Sequence, residues 1–490
     1  MIDAVTLIAL LSISLVSAVV LAFIGDKRYA AEVNILGSAA TFAVSLLLGA
    51  EVYISGPMTT AGGFFFVDAL NVYLAVLTAF VSMTTAIFSK PYMRHEREIG
   101  RVGKTAMRFY HAMYQLFIFA MLLALLTNNV GVLWISMELA TLSTVLLVSL
   151  YRTPSSIEAA WKYFILCGVG IAQALFGTVL LYFAAEKVLG EGSAALQWTN
   201  LSQVSGQLEP TVLSLAFIFF MIGYGTKVGL VPLHNWLPDA HAEGPTPISA
   251  VLSGLLLNIA LYALVRCKAL VDGATHSNKA GHIMMAFGMV SLLVSAFSLL
   301  RQKDIKRMFS YSSIEHMGIA TFAFGLGGSV ATFGALLHML VHSLTKSAIF
   351  FTAGHASQMY GTQQMTRIRG LIRTNPRVGW GLMLGVAAIA GMPPFGVFTS
   401  EFLILTATIK NAPIMAPFFL LGLAVAFAAL FKKTMPMVFG EAGPFAEARA
   451  HSIMVSDSPV IIHMVIVLCL GLYLPVFLSD WFHAAVRLLR

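Results

Sequence analysis

Long blocks of apolar residues, each about the length of a bilayer crossing, alternate along this chain with short polar joints. A transmembrane helix needs about 20 predominantly apolar residues. Fourteen runs of that kind stand at 3–25, 33–55, 66–89, 110–127, 130–151, 157–187, 211–239, 245–270, 280–300, 309–328, 331–357, 378–409, 415–440 and 458–479. The pattern predicts an all-α integral membrane protein with about 14 transmembrane helices. The joints are too short to hold a soluble domain. The first run has no basic leader and no small-residue cleavage site, so it is expected to stay as a span and not to leave as a signal peptide.

Two of the runs carry helix breakers. In the seventh, the stretch KVGLVPLHNWLPDAHAEGPTP (227 to 247) sets Pro232 five residues after Lys227 and brings His234 just behind it. Proline has no N–H to give the carbonyl of Val228, so the helix is expected to break or kink there. In the twelfth, AAIAGMPPFGVFTSEFLIL places Pro393 and Pro394 shortly before Glu401. Non-helical backbone at membrane depth is tolerated only where protein buries it or where it lines a watery cavity. Each break therefore marks an interior site.

Composition agrees with the periodicity. Of 490 residues, 58% are hydrophobic and 11% charged, with a mean hydropathy of +0.84, against about 25% charged in an ordinary soluble domain. Lysine and arginine favour cytoplasmic loops. Of the 30 such residues, 20 follow odd-numbered spans, among them Lys27, Arg28, the run from Lys90 to Arg108, Lys306, Arg307 and Arg449. Seven follow even-numbered spans: Lys187, Arg266, Lys268, Lys279, Lys410, Arg487 and Arg490. The bias puts both termini on the outer side of a cytoplasmic membrane and supports an even number of spans. The net charge of +8 then needs no nucleic-acid partner, because cytoplasmic loops facing anionic lipid or partner subunits account for it. The segment 90 to 108 is the expected docking patch for an acidic cytoplasmic partner. Cys167, Cys267 and Cys469 lie far apart without CxxC spacing, which argues against an iron–sulfur or zinc site and for small core residues.

Lys162, Lys227 and Lys346 fall inside spans, and they carry the chemical argument. A charge at membrane depth is costly, so such residues face a bundle interior or a water-filled cavity. In the fifth span, VLWISMELATLSTVLLVSL puts Glu138 near mid-depth. Lys162, in AAWKYFILC of the sixth, stands about a turn from the cytoplasmic end, where it could instead snorkel. The eleventh span reads LLHMLVHSLTKSAIFF, and its His338, His342 and Lys346 fall within about 80° of one helix face. In the tenth, YSSIEHMG supplies Glu315 and His316. A buried ion pair kept only for structure can often be replaced by apolar residues, so several such charges in one chain point to use. Alternating lysines, glutamates and histidines can pass protons through bridging water. Moving a carboxylate to or from a buried lysine switches its charge, and histidine shuttles near neutral pH.

The breaks also suggest an inverted repeat, with spans 4–8 (110–270) and 9–13 (271–440) as two five-helix blocks, each interrupted in its fourth helix. Residues 1–109 would hold spans 1–3, and 441–490 a single fourteenth helix. Interrupted helices at matching positions mark binding sites in repeat-built transporters.

Four stretches, KVGLVPLHNWLPDAHAEGPTPISAVLSGLLLN, DIKRMFSYSSIEHMG, LLHMLVHSLTKSAIFF and GMPPFGVFTSEF, resemble the antiporter-like, proton-translocating membrane subunits shared by respiratory complex I, Mrp sodium/proton antiporters and group 4 hydrogenases. The resemblance covers roughly residues 65 to 440. Within that superfamily, KPYMRHE, ELATLSTVLLVSLY and GYGTKVGLVPLHNWLPDAH look closest to component F of hydrogenase-4, of formate hydrogenlyase type. It implies that Glu138 and Lys227 pair in a first half-channel, and that His316, His338, His342 and Lys346 lie in the central axis and second half-channel. Glu401 would connect to a neighbouring subunit or the outside. Many relatives have a lysine where this chain has Asn258, which cannot carry a proton. The implied partners are other antiporter-like subunits and a hydrogenase or dehydrogenase module, with no cofactor or metal on this chain. The chain stops just after the fourteenth span, without the long lateral helix of the distal complex I subunit. A complex I or Mrp-type subunit, the membrane half of an inorganic-carbon uptake complex, and a non-pumping membrane anchor stand as alternatives.

Overall fold

The computed structural model describes residues 4–441 and 457–489; Arg449 and Arg490, counted above in the charge bias, lie outside the described residues. Eleven helices among the described residues are individually long and apolar enough to cross a membrane. The first four are Ala4–Ile24, Ala30–Ser55, Ala69–Glu98 and Lys104–Leu126. The fifth to seventh are Val130–Val148, Pro154–Leu189 and Pro210–Val228, and the eighth and ninth occupy Thr246–Thr275 and Lys279–Leu299. The tenth, Ile305–Leu326, is of crossing length but more polar. The eleventh is Gly328–Tyr360. The twelfth is divided into Pro376–Ile389 and Gly396–Asn411, and the thirteenth is Ala416–Phe439.

The fourteenth departs from the single helix expected. Ser458–Leu472 and Val476–Leu488 are bent by 80° at the joint, because Pro475 cannot continue the first helix. A second departure from an all-helical chain is a short hairpin, Met58–Thr60 paired with Phe65–Val67, ahead of the third span.

Burial orders these helices around a centre. The most apolar window of the eighth span is wholly buried and that of the eleventh 89% buried, whereas the first, second and thirteenth are 33% buried. The eighth and eleventh are thus the core of the bundle, and the outer helices offer their apolar faces to lipid. The ninth and tenth spans touch backbone to backbone. A Cβ on Gly288 would sit 2.6 Å from the carbonyl of Gly318 and one on Gly325 2.6 Å from that of Gly281. Small residues let helices approach this closely in a bilayer, where packing replaces the hydrophobic drive between helices.

Three basic or sulfur-bearing residues are not where hydropathy alone puts them. Arg266, assigned to an outer joint, is buried in the eighth span, its Nη2 2.6 Å from Asp68 Oδ2 and its guanidinium 4.2 Å above the Trp198 ring. Lys306, assigned to a cytoplasmic loop, is 2% exposed. Cys469 is exposed on the fourteenth span, while Cys167 and Cys267 are buried as expected.

Candidate functional site

The seventh span ends as its sequence demands. Gly229 takes the left-handed conformation (φ 81°), and the N–H groups of Gly229 and Leu230 return to the carbonyl of Gly225 at 3.0 and 2.9 Å, a standard helix C-terminus. The chain is then irregular until Trp236–Glu243 resumes as helix. Its loose backbone groups are met from the side: Val231 N–H donates to Ser291 Oγ at 2.9 Å, and Trp236 Nε1 donates to the Thr226 carbonyl at 2.8 Å. Lys227, one residue before the helix end, is fully buried. Its ammonium donates to Thr141 Oγ1 and lies 5.3 Å from the centre of the Tyr163 ring. Glu138, one turn before Thr141, is half-buried and within electrostatic range of Lys227. The expected acid and lysine form no direct ion pair among the described residues: the ammonium is held by Thr141, whose own hydroxyl hydrogen goes to the Met137 carbonyl at 2.9 Å.

Beyond the break lie two residues that sequence reasoning missed. His241 is fully buried and stacked on Phe350 with ring centres 5.1 Å apart, within electrostatic range of both Lys306 and Lys346. Lys306 Nζ donates to the carbonyls of Ala242 and Gly244 at 3.0 and 2.6 Å. Asp304, just outside the span, caps it through Lys306 N–H at 2.8 Å, and burial holds its carboxyl above the ordinary range for aspartate. His234, within the break, is half-buried, with its ring edge-on to Tyr311.

Between the halves the eighth, tenth and eleventh spans present hydroxyls. Ser253 and Ser313 share a hydrogen bond of 2.7 Å, and Asn258 Nδ2 donates to Ser343 Oγ at 2.7 Å. The eighth span widens into a π turn at Leu252–Leu256, beside these groups.

The second half gathers most of the predicted residues. Lys346 is fully buried, donates to the Phe309 carbonyl at 3.0 Å, and is coupled electrostatically to Glu315. His338 and His342 stack nearly parallel, 12° apart with centres at 6.3 Å, as their spacing predicts. His316 Nδ1 lies 3.1 Å from His338 Nε2 and 3.9 Å from Glu401 Oε1, and His338 Nδ1 meets Ser400 Oγ at 2.9 Å. Glu401 sits against the break of the twelfth span. Gly391 there has φ 70°, and a Cβ at that position would collide with the Glu401 carboxylate. Pro232 and the Pro393–Pro394 pair both lie in the irregular segments. Lys162 stands apart. It is 47% exposed and pairs with Glu158 Oε1 at 2.6 Å and Asp239 Oδ2 at 3.1 Å, where Arg307 also binds Asp239.

The profile of the NADH:quinone oxidoreductase/Mrp antiporter transmembrane family matches residues 127–430, which span both breaks and every buried group just described. The chain belongs to that family. A relative from Methylacidiphilum infernorum, a hydrogenase-4 component F homolog, is 49% identical over 475 residues, covering 96% of this chain and 98% of its own. Among solved structures, a chain of the archaeal membrane-bound sulfane sulfur reductase superposes with a TM-score of 0.87 at 22% identity, over 99% of this chain and 97% of that one. A chain of the Mrp complex from Dietzia superposes with a TM-score of 0.85 at 17% identity, over 99% and 98%. The resemblance carried by the four motifs holds, and the family fold extends over the whole chain.

Within this family member, one group of side chains has the donors for a small cation. Atoms of His316, His338 and Glu401 lie within 4.8 Å of one another, and imidazole with carboxylate is a donor set that zinc accepts. A search by cysteine spacing does not find it, because the three residues come from three helices. Two of its donor atoms, His316 Nδ1 and His338 Nε2, already share a hydrogen bond.

Proposed function

We propose that this chain moves protons across the cytoplasmic membrane as the antiporter-like subunit of a redox-driven complex of group 4 hydrogenase type. One observation carries the reading. Among the buried polar atoms that find no protein partner, many belong to the titratable groups of the two halves or to residues beside them: Glu138 Oε2, both ring nitrogens of His241, the hydroxyls of Ser312 and Ser347, Glu315 Oε2, His316 Nε2 and both nitrogens of His342. An unserved buried polar group costs about 1–3 kcal/mol. Ordered water relieves that cost, making about three hydrogen bonds at each site. Such atoms on Glu138, His241, Glu315, His316 and His342 support a hydrated path in which side chains and water alternate.

In this reading Glu138, Thr141 and Lys227 form the first half-channel. His241 joins it to Lys346, in place of the lysine absent at Asn258, with His234 at the break between them. Glu315, Lys346, His342, His338 and His316 pass the proton on to Glu401, the outlet toward a neighbouring subunit or the outside. Lys162 serves the surface end, beside Asp239. Residues 110–270 and 271–440 act as two blocks of five spans. Because five is odd, the second block enters the membrane from the opposite side and the two are inverted. The bias of basic residues supports an orientation with both termini on the outer side. The partners are other antiporter-like subunits and a hydrogenase module that supplies the redox drive.

The contrast with Asp68–Arg266 favours transport over a purely structural role for the other charges. There carboxylate and guanidinium meet in a direct ion pair at 2.6 Å, with Trp198 stacked on the cation. Glu138 and Lys227 form no such pair, and the ammonium is bonded to the Thr141 hydroxyl instead. In vesicles containing the purified complex, Lys227→Ala and Glu138→Ala should each abolish proton movement while assembly persists. Wild-type pumping in both would leave the chain a membrane anchor.

A further inference from the structure

The polar ends of the first four spans close around a cavity of about 610 Å³ that plays no part in the proton path. Its wall carries Lys27 and Arg28 from the joint after the first span, and Lys90, Arg94 and Arg97 from the last turns of the third; Glu98 is the one acid lining it. Two further acids each bind basic residues of this region, although Glu32 Oε2 has no partner. Glu32 holds Lys90 at 2.8 Å, and Asp26 holds Arg108 at 2.8 Å while its backbone carbonyl accepts from Arg97 at 3.2 Å. Lys27, Arg28 and Arg94 enter no ion pair among the described residues. His111, from the fourth span, is 2% exposed, lines the cavity, and its Nδ1 has no partner. A buried ring nitrogen without a partner, in a cavity lined by five basic side chains with Glu32 in electrostatic range but held by Lys90, is a polar floor for an anion with hydrogen-bonding oxygens.

The surroundings decide which anion. The cavity sits where membrane-crossing helices end, at the depth of phosphate headgroups, on the side that the basic residues mark as cytoplasmic. Met93, Met107 and Ala31 give it an apolar side. The first span leads away from it with an exposed apolar face that includes Val16, Val20 and Phe23, the last 73% exposed. A free phosphate would match the cations but would leave that face without a role. An acidic protein surface would have to reach into a concave site bounded by lipid.

We propose that this cavity binds the phosphate of an anionic phospholipid, whose acyl chains lie along the exposed face of the first span. Lys27, Arg28 and Arg94 supply the charge, and His111 accepts or donates the hydrogen bond at the floor. The lipid ties the first three helices, which stand outside the two five-helix blocks, to the start of the first block.

The test is thermal unfolding of the detergent-purified full chain, titrated with phosphatidylglycerol, phosphatidylcholine or inorganic phosphate, since a ligand that binds only the folded state raises the midpoint. Phosphatidylglycerol should stabilise the wild type and phosphatidylcholine should not. The triple change Lys27→Gln, Arg28→Gln, Arg94→Gln should weaken the apparent affinity by about 100-fold, and Arg94→Gln alone by about 5-fold. Removing the same charge elsewhere, with Arg301→Gln, Lys432→Gln and Lys433→Gln, should leave it unchanged. The single variant serves if the triple does not fold. Undiminished binding in Arg94→Gln and the triple, or equal loss in the control, would overturn the site. Phosphate stabilising as well as the lipid would reduce it to a small-anion site, and displacement by an acidic peptide with no response to lipid would give the surface to a protein partner; either overturns the lipid assignment.

Discussion

Thr141→Val tests the proton line at its narrowest point. Valine keeps the shape of threonine and removes only the hydroxyl, which accepts from Lys227 Nζ and stands one turn after Glu138 on the fifth span. Among the described residues the ammonium makes no other hydrogen bond, and its remaining neighbour is the Tyr163 ring at 5.3 Å. A hydrogen bond to a charged group is worth about 1.5–3 kcal/mol, and about 1.4 kcal/mol is a factor of ten. The population of Lys227 that can hold and release a proton in place should therefore change by about 10- to 150-fold, and the rate of proton movement should fall by a comparable factor. Thr141→Ser, which keeps the hydroxyl, should run near the wild-type rate. The assay is acidification of a pH dye in vesicles carrying the purified complex, with the amount of incorporated chain measured alongside. A wild-type rate in Thr141→Val, or equal losses in the valine and serine variants, would remove the threonine from the line.

Three further outcomes follow from the same geometry. Glu401→Gln keeps the shape of the side chain against Gly391 but removes the charge 3.9 Å from His316, so translocation should slow at least tenfold with assembly intact; normal rates would take Glu401 off the path. His241→Leu deletes a buried ring whose nitrogens have no protein partners, so the chain should fold while proton movement drops by an order of magnitude or more, and an unaltered rate would mean that the two halves are joined elsewhere. Asp68→Ala leaves Arg266 buried without its carboxylate, which should cost about 3–5 kcal/mol of stability and show as a lowered unfolding midpoint in detergent, an effect that a merely peripheral pair would not produce.

The span pattern was legible because a bilayer imposes a length and an apolarity that leave their mark on every run. The two breaks were legible because proline removes a donor wherever it stands, although the seventh helix stops at Val228 and Gly229, before Pro232 itself. The histidine and lysine stripe of the eleventh span was legible from spacing. What escaped was depth. Lys306 sits beside Asp304 and Arg307 in a stretch that hydropathy hands to solvent, yet Asp304 caps the tenth helix from 305, four residues ahead of the expected start, and draws Lys306 inside. The aspartate was a readable cap, and Lys306, Ser310 and Ser313 form a polar stripe on one face of a buried helix, which was the available signal. His241 lies in the short helix Trp236–Glu243 after the break and was hidden by the polar look of the stretch around it. That His316, His338 and Glu401 converge at the second break could not be read from spacing, because they come from three spans.

The two breaks solve one problem in the same way. A helix interrupted inside a bilayer exposes backbone groups that lipid cannot serve, and here each interruption closes on itself. After Val228 the amides turn back onto Gly225 or find Ser291, and the Trp236 indole takes up the Thr226 carbonyl. After Ile389, Ala390 returns to Val386 and Met392 to Ala387 at 2.9 and 3.1 Å. With the backbone satisfied from within, neither break is left as a loose hinge, so the groups free to respond to a proton are side chains beside it: Lys227 one residue before the first, Glu401 folded against Gly391 of the second. Both are ionisable groups next to a gap in the helical wall, and polar atoms without protein partners occur on Glu138, His241, Glu315, His316 and His342. On the proposed path, an irregular backbone that is internally bonded needs only side-chain motion to pass a proton, which gives Lys227 and Glu401 a reason to stand beside the breaks while Glu138 and Lys346 stand within unbroken helices.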